Sequence, residues 1–287
     1  MKLKTILIVA LGFVTVGAGI FQYVHQEKAA KRWYAWQQAW KPALQVQPKE
    51  VRAWFWQPVV AKQVSIEPSG VFHAALGVPF GYQATVEKVE VVDYQGIDFE
   101  PEAERGKLRF GGLSIKTLNL KIHPALPSFA DLGYDTLEGE GEWQWTYRNN
   151  NLHAWGVVNF AQAGTLRLDC RLDSSPAVFR LSFNDTAFNR CEAVWQDAGL
   201  WVKIKDGLAA GNKLSLPEWQ EQSEAWLNQQ VLLQSNPNNL AALAGFLRSN
   251  TTLKVGIDPA NPMTLDKLKL YQPSQYAAVL GLEISSE

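Results

Sequence analysis

The chain has 287 residues, with 27 Lys+Arg against 28 Asp+Glu, so its net charge is −1. That near-neutral balance excludes the basic field that nucleic acid needs. Charged residues make up 19% and tryptophan occurs twelve times, a composition weighted towards large apolar bodies that suit cores, interfaces and membrane boundaries.

The first element is an uncharged run from Thr5 to Val24 behind Lys2 and Lys4. As a helix it spans about 30 Å, the thickness of a hydrocarbon core. No Ala-x-Ala site closes it and no cysteine lies near, so it reads as an uncleaved signal-anchor over residues 1–25. Lys28, Lys31 and Arg32 lie on the far side, so the positive-inside count does not set the orientation. A long following domain translocates largely regardless of charge.

Residues 26–60 read as a Trp-rich juxtamembrane helix and linker. Trp33, Trp36 and Trp40 are spaced i, i+3, i+7 and fall on one helical face, which Pro42 ends. That face fits two places equally: the headgroup level, with Lys28, Lys31 and Arg32 near phosphates, or the core of the following domain. Trp54 and Trp56 alternate as on a strand.

From residue 61 the period is mostly two. KLRFGGLSIKTLNLKIHP, TLRLDCRLD and AVFRLSF alternate apolar and polar residues, the pattern of half-buried antiparallel strands. Gly111-Gly112 interrupts the register as a bulge or turn would. In LEGEGEWQWTY, Glu138, Glu140 and Glu142 share the wet side, while Gly139, Gly141, Trp143, Trp145 and Tyr147 share the other. A turn at Arg148–Asn151 and a returning NLHAWGVVNF make this a hairpin. Trp143, Trp145 and Tyr147 become a candidate apolar ligand face, with the two glycines leaving room above it.

The last third predicts helices between about 185 and 250. FNDTAFNRCEAVWQDAG reads as the first, capped by Asn184 or Asp185, with Phe188, Cys191 and Trp195 on one face and Gly199 at its exit. LWVKIKDGL fits strand or helix. A second helix opens at Ser215 with Pro217 in its first turn, and a third runs from about Pro237 to Ser249. TTLKVGIDP returns to strand. The expected fold is therefore α+β: an N-terminal transmembrane helix, then a β-rich domain over 61–287 of antiparallel amphipathic strands with C-terminal helices packed on the sheet.

This order resembles bacterial envelope proteins of the AsmA-like and YdgA-type kind. The likeness rests on LSFNDTAFNRCEAVWQDAG, FLRSNTTLKVGIDPANPMTL and the closing VLGLEI. The resemblance implies an inner-membrane protein with a single pass and a β-rich periplasmic domain. Larger members of the group are linked to outer-membrane biogenesis and lipid movement.

Chemistry is sparse. The four histidines, His25, His73, His123 and His153, make no paired-ligand spacing, and no P-loop, nucleophile elbow or dinucleotide fingerprint is present. Cys170 and Cys191 are the only cysteines; they either form a disulfide or remain two buried thiols. Same-side strand glutamates stand about 6.7 Å apart, within the range used by inverting glycosidases, but every polar sheet face shares that spacing.

The expectation is a non-catalytic, membrane-anchored envelope protein that handles lipid or supports outer-membrane biogenesis. A structural subunit of an envelope assembly is the alternative, and a hydrolase using the glutamate row the third reading. No cofactor or metal is expected. The expected partners are membrane lipid and an envelope protein.

Overall fold

The computed structural model describes residues 22–23, 26–31, 33–34, 37–38, 41, 44–53, 59–68, 84–95, 103–116, 130–174, 185–229, 236–249 and 251–287. One antiparallel sheet of eleven strands dominates them. Its strands are β1 (Leu44–Arg52), β2 (Val59–Pro68), β3 (Ala84–Gln95), β4 (Ala103–Lys116), β5 (Thr136–Arg148), β6 (Asn151–Phe160), β7 (Gly164–Asp173), β8 (Ala187–Asp197), β9 (Thr252–Ile257), β10 (Met263–Thr264) and β11 (Glu283–Ser286). Spatial order follows chain order from β1 to β9, then β11; the short β10 pairs with β8 off this path. The helices are small: α1 (Leu200–Gly211), α2 (Leu216–Asn228), α3 (Pro237–Arg248), α4 (Leu265–Leu268) and α5 (Tyr276–Leu280).

This corrects the α+β expectation. The molecule is a single meandering sheet with helices at its margins. Among the described residues no helix is long and apolar enough to cross a membrane. The run from Thr5 to Val24 lies outside the described residues except for Gln22 and Tyr23. So do Trp54 and Trp56, the 118–122 alternation and AVFRLSF. The sheet begins at Leu44, inside the segment read as helix and linker.

The second correction concerns residues 187–197, which form β8 and not a helix. Phe188, Cys191 and Trp195 mimic helical spacing because β8 carries an irregularity. Arg171 pairs with Arg190, but Leu172 pairs with Phe188, so Asn189 is extra. The bulge returns Phe188 to the side of Cys191 three residues later. Gly199 (φ 127°) is then the start of α1, not the end of a helix. LWVKIKDGL resolves as α1. Asp197 makes that turn, accepting from the backbone N–H groups of Gly199 (2.9 Å) and Trp201 (2.8 Å).

The Leu137–Phe160 segment is a hairpin. Asn149 and Asn150 take positive φ (52° and 63°), as a two-residue turn matched to strand twist requires. Gly111-Gly112 forms a bulge inside one continuous strand: register shifts between Phe110 and Leu113, with Gly112 at φ 64°. In α2 the Ser215 side chain and Glu218 make a reciprocal capping box, with Pro217 in the first turn.

Pairing register assigns the two faces. One face carries Val64, Val86, Leu113, Leu137, Phe160 and their neighbours in every strand from β1 to β9. By the same register the charged residues on this face, among the described strand residues, are Asp197 and Glu104, both towards strand ends. The other face is a lattice of ion pairs: Lys88–Glu90, Lys107–Glu142, Arg109–Glu142, Arg190–Glu192 and Lys254–Glu192.

Both sheet edges are capped by amides. Residues 22–23, 26–31, 33–34 and 37–38 are helical and lie along β1. Gln22 donates to the Ala53 carbonyl and Gln37 to that of Val46. Gln26 donates to the Val51 carbonyl (2.6 Å) and accepts from the Ala53 N–H (2.5 Å). From residue 26 to 37 a helix rises about 16 Å, as does the strand from Val51 to Val46. At the far edge Asn239 of α3, 1% exposed, donates to the Leu282 carbonyl (2.9 Å) and accepts from the Ile284 N–H (2.7 Å).

Candidate functional site

The apolar face is framed on three sides. At the β1–β4 side, Trp33 (7% exposed) folds over the edge onto Val46, Ala61, Val64, Val86 and Val89. Along one set of strand ends, Leu200 and Ile204 of α1 pack on Tyr134, Leu137 and Ala163. Along the opposite ends, Tyr147, Leu152 and Leu172 form a third cluster with Trp145, Cys170, Phe188 and Cys191 around it. Between these borders lie Phe110, Gly141, Trp143, Val158, Leu166, Leu168, Ala193 and Val255. All are half-buried, with no hydrophobic cluster of the described residues closing over them.

The floor of this trough stays level because indoles lie over glycines, Trp143 in the floor itself and Trp145 and Trp195 where it meets its borders. A Cβ at Gly106 would fall 2.2 Å from Cζ2 of Trp145, its direct partner across β4 and β5. One at Gly156 would fall 2.2 Å from Cε3 of Trp143, its partner across β5 and β6. One at Gly164 would fall 2.5 Å from Cζ2 of Trp195. Large rings covering glycine on the next strand bury backbone without raising the surface. Gly139 and Gly141 do something else: the carbonyls of Asn159 and Val157 approach them closely, so they leave no empty space.

The candidate ligand residues therefore divide. Trp143 belongs to the half-exposed floor, and Trp145 stands where the floor meets the border cluster around Tyr147. Tyr147 is buried, and its hydroxyl donates to Asn150 Oδ1 at 3.0 Å, so it belongs to the closed border. Sequence reasoning missed Phe110, Val158, Leu166, Leu168, Ala193 and Val255; each stands in an alternating run, but only strand register assembles them into one surface.

The membrane-interface candidates also divide. Trp33 faces the core and not lipid. Lys28 is exposed, and Lys31 pairs with Glu27 at 2.7 Å. Arg32, Trp36 and Trp40 lie outside the described residues. Cys170 and Cys191 face each other directly across β7 and β8 and are joined by a disulfide. Cys191 reaches that position from a strand.

The glutamate row sits on the opposite face, where Glu138 and Glu140 are exposed. A hydrogen bond from Lys107 holds the Glu142 carboxyl below the usual range despite partial desolvation, helped by Gln144 and Arg109. A general acid needs the reverse shift. A groove of about 490 Å³ beside Trp155 is lined by Glu142, Asp169 and Glu192. Each of these carboxylates is engaged: Glu142 by Lys107, Asp169 by His153 at 2.8 Å, and Glu192 by Lys254 at 2.8 Å. Among the described residues no cluster of three His, Cys, Asp or Glu could hold a metal. No protein-family model and no curated protein sequence matches the chain.

Proposed function

We propose that the protein is a non-catalytic, membrane-associated protein of the bacterial envelope that shelters the acyl portion of a lipid. The observation that carries this reading is the apolar face running through β1 to β9, framed on three sides, and half-exposed and free of charged residues along its middle. An apolar face of that extent on a lone sheet needs a cover, and a hydrocarbon chain meets the need without hydrogen bonds. Two further features support it. The Cys170–Cys191 disulfide suits an oxidising compartment such as the periplasm, and the uncharged run before Gln22 suits attachment to the inner membrane.

The polar face argues for a supporting role for the glutamates. Its charges are paired both along and across strands, and like charges along the strand discourage unwanted pairing. The reading is tested by mass spectrometry of lipids that copurify with the full chain in mild detergent. A defined lipid class at near-stoichiometric amount, reduced when Leu168 is replaced by glutamate, is the expected result. Lipid that merely mirrors the bulk membrane, in wild type and variant alike, rejects it.

A further inference from the structure

Resting on the acyl-chain reading, we infer that the tryptophan–glycine pairs set the clearance of the trough, and that its occupant is a single layer of straight, unbranched acyl chain lying across the strands. The borders fix the direction. Both sets of strand ends are raised and closed by packed clusters, so a chain aligned with the strands would meet a wall at each end. Across the strands the half-buried row continues without a step from Phe110 on β4 to Val255 on β9. Those six strands span about 24 Å, ample for an acyl chain that fills half of a bilayer core of about 30 Å.

The floor fixes the thickness. Trp145 and Trp143 lie over Gly106 and Gly156 so closely that a single added methyl would have to lift each ring. Upright indoles would divide the row into compartments. Flat ones leave a continuous apolar plane with no niche for a branched or ring-fused body. Charge agrees, since no charged side chain interrupts the row. An occupant lying there is uncharged along its length, with its polar end elsewhere.

The test uses the full chain in detergent, with a straight fatty acid brominated at mid-chain as a fluorescence quencher. Quenching in wild type should fall sharply in Trp143→Phe, whose indole is mid-floor. The three atoms nearest an added methyl at Gly106 all belong to the Trp145 ring and none to backbone; Gly106→Ala should weaken binding of the straight chain by about tenfold or more with the unfolding midpoint little changed. Gly156→Ala also crowds the Glu142 carbonyl, so it is the second, harsher variant. A methyl-branched fatty acid should bind more weakly than the straight one to wild type. If quenching occurs but Gly106→Ala and the branched chain bind as wild type does with the straight chain, the floor has no selective role and the inference falls alone. If no brominated chain quenches at any concentration below its micelle threshold, the acyl-chain reading itself falls and takes the inference with it.

Discussion

At β1 the outward backbone groups are met by three glutamines spread along a helical segment; at β11 they are met by one asparagine. The glutamines are only part-buried, and each bond can be replaced by water. β1 has a second defence, because Pro48 follows Val46 on the same side of the strand and offers no N–H. Asn239 is fully enclosed, and the helix that carries it is pinned at its other end too. Trp201, Gln220 and Lys205 donate to the carbonyls of Phe246, Leu247 and Arg248 at 2.9, 3.1 and 3.2 Å. The lesson is that an edge can be closed by many replaceable bonds or by one irreplaceable pair held in a packed corner.

The largest test of that contrast is Asn239→Leu. It keeps volume but removes the partner of the Leu282 carbonyl and of the Ile284 N–H from an enclosed position, at about 1–3 kcal/mol each. Denaturant unfolding should show a loss of about 4 kcal/mol. Gln26→Ala should cost about 1 kcal/mol by the same measurement, since water reaches its partners. Equal costs at the two edges would remove the distinction.

Acid separates the edges further. Hydrogen bonding from Arg248 holds the Glu224 carboxyl below its usual value, against a smaller desolvation effect. Its folded pKa is depressed, so its contribution is present above the unfolded value and is lost as pH falls through the folded one. The window lies below the ordinary glutamate value of about 4.3. Hydrogen-exchange protection in α3, corrected for the intrinsic rate at each pH, should fall on acidification into that window, more than protection along β1. Glu224→Gln should abolish this difference. The smallest effect belongs to neither edge: Glu138, Glu140 and Glu142 all changed to Gln should shift stability by less than about 0.5 kcal/mol and leave lipid copurification unchanged.

Much of the sheet was legible because its alternation is strict. Leu166, Leu168 and Cys170 against Arg167, Asp169 and Arg171 admit one reading, and the Asn149-Asn150 turn and the Ser215 capping box are local chemistry. Besides β1, which fell in the segment read as helix and linker, the misread strand was β8, where one extra residue, Asn189, converts a period of two into an apparent three and four. Trp33 was legible as one face of a helix but not as to what that face meets, because headgroups and core accept the same ring. The edge caps left no trace at all. A glutamine bonded to a carbonyl 25 residues away has no periodic signature, and neither has an indole laid over a glycine on another strand.

The unbroken neighbour-to-neighbour order of β1 through β9 bears on how such a molecule lengthens. Because no strand crosses over another, a duplicated hairpin can be inserted at any turn without rethreading the chain. Each insertion would widen the sheet by about 10 Å, two inter-strand spacings. It would leave both terminal caps untouched, provided the duplicate keeps the same alternation. Width is thus a quantity that gene-level duplication can adjust in equal increments, while closure of the ends is inherited unchanged.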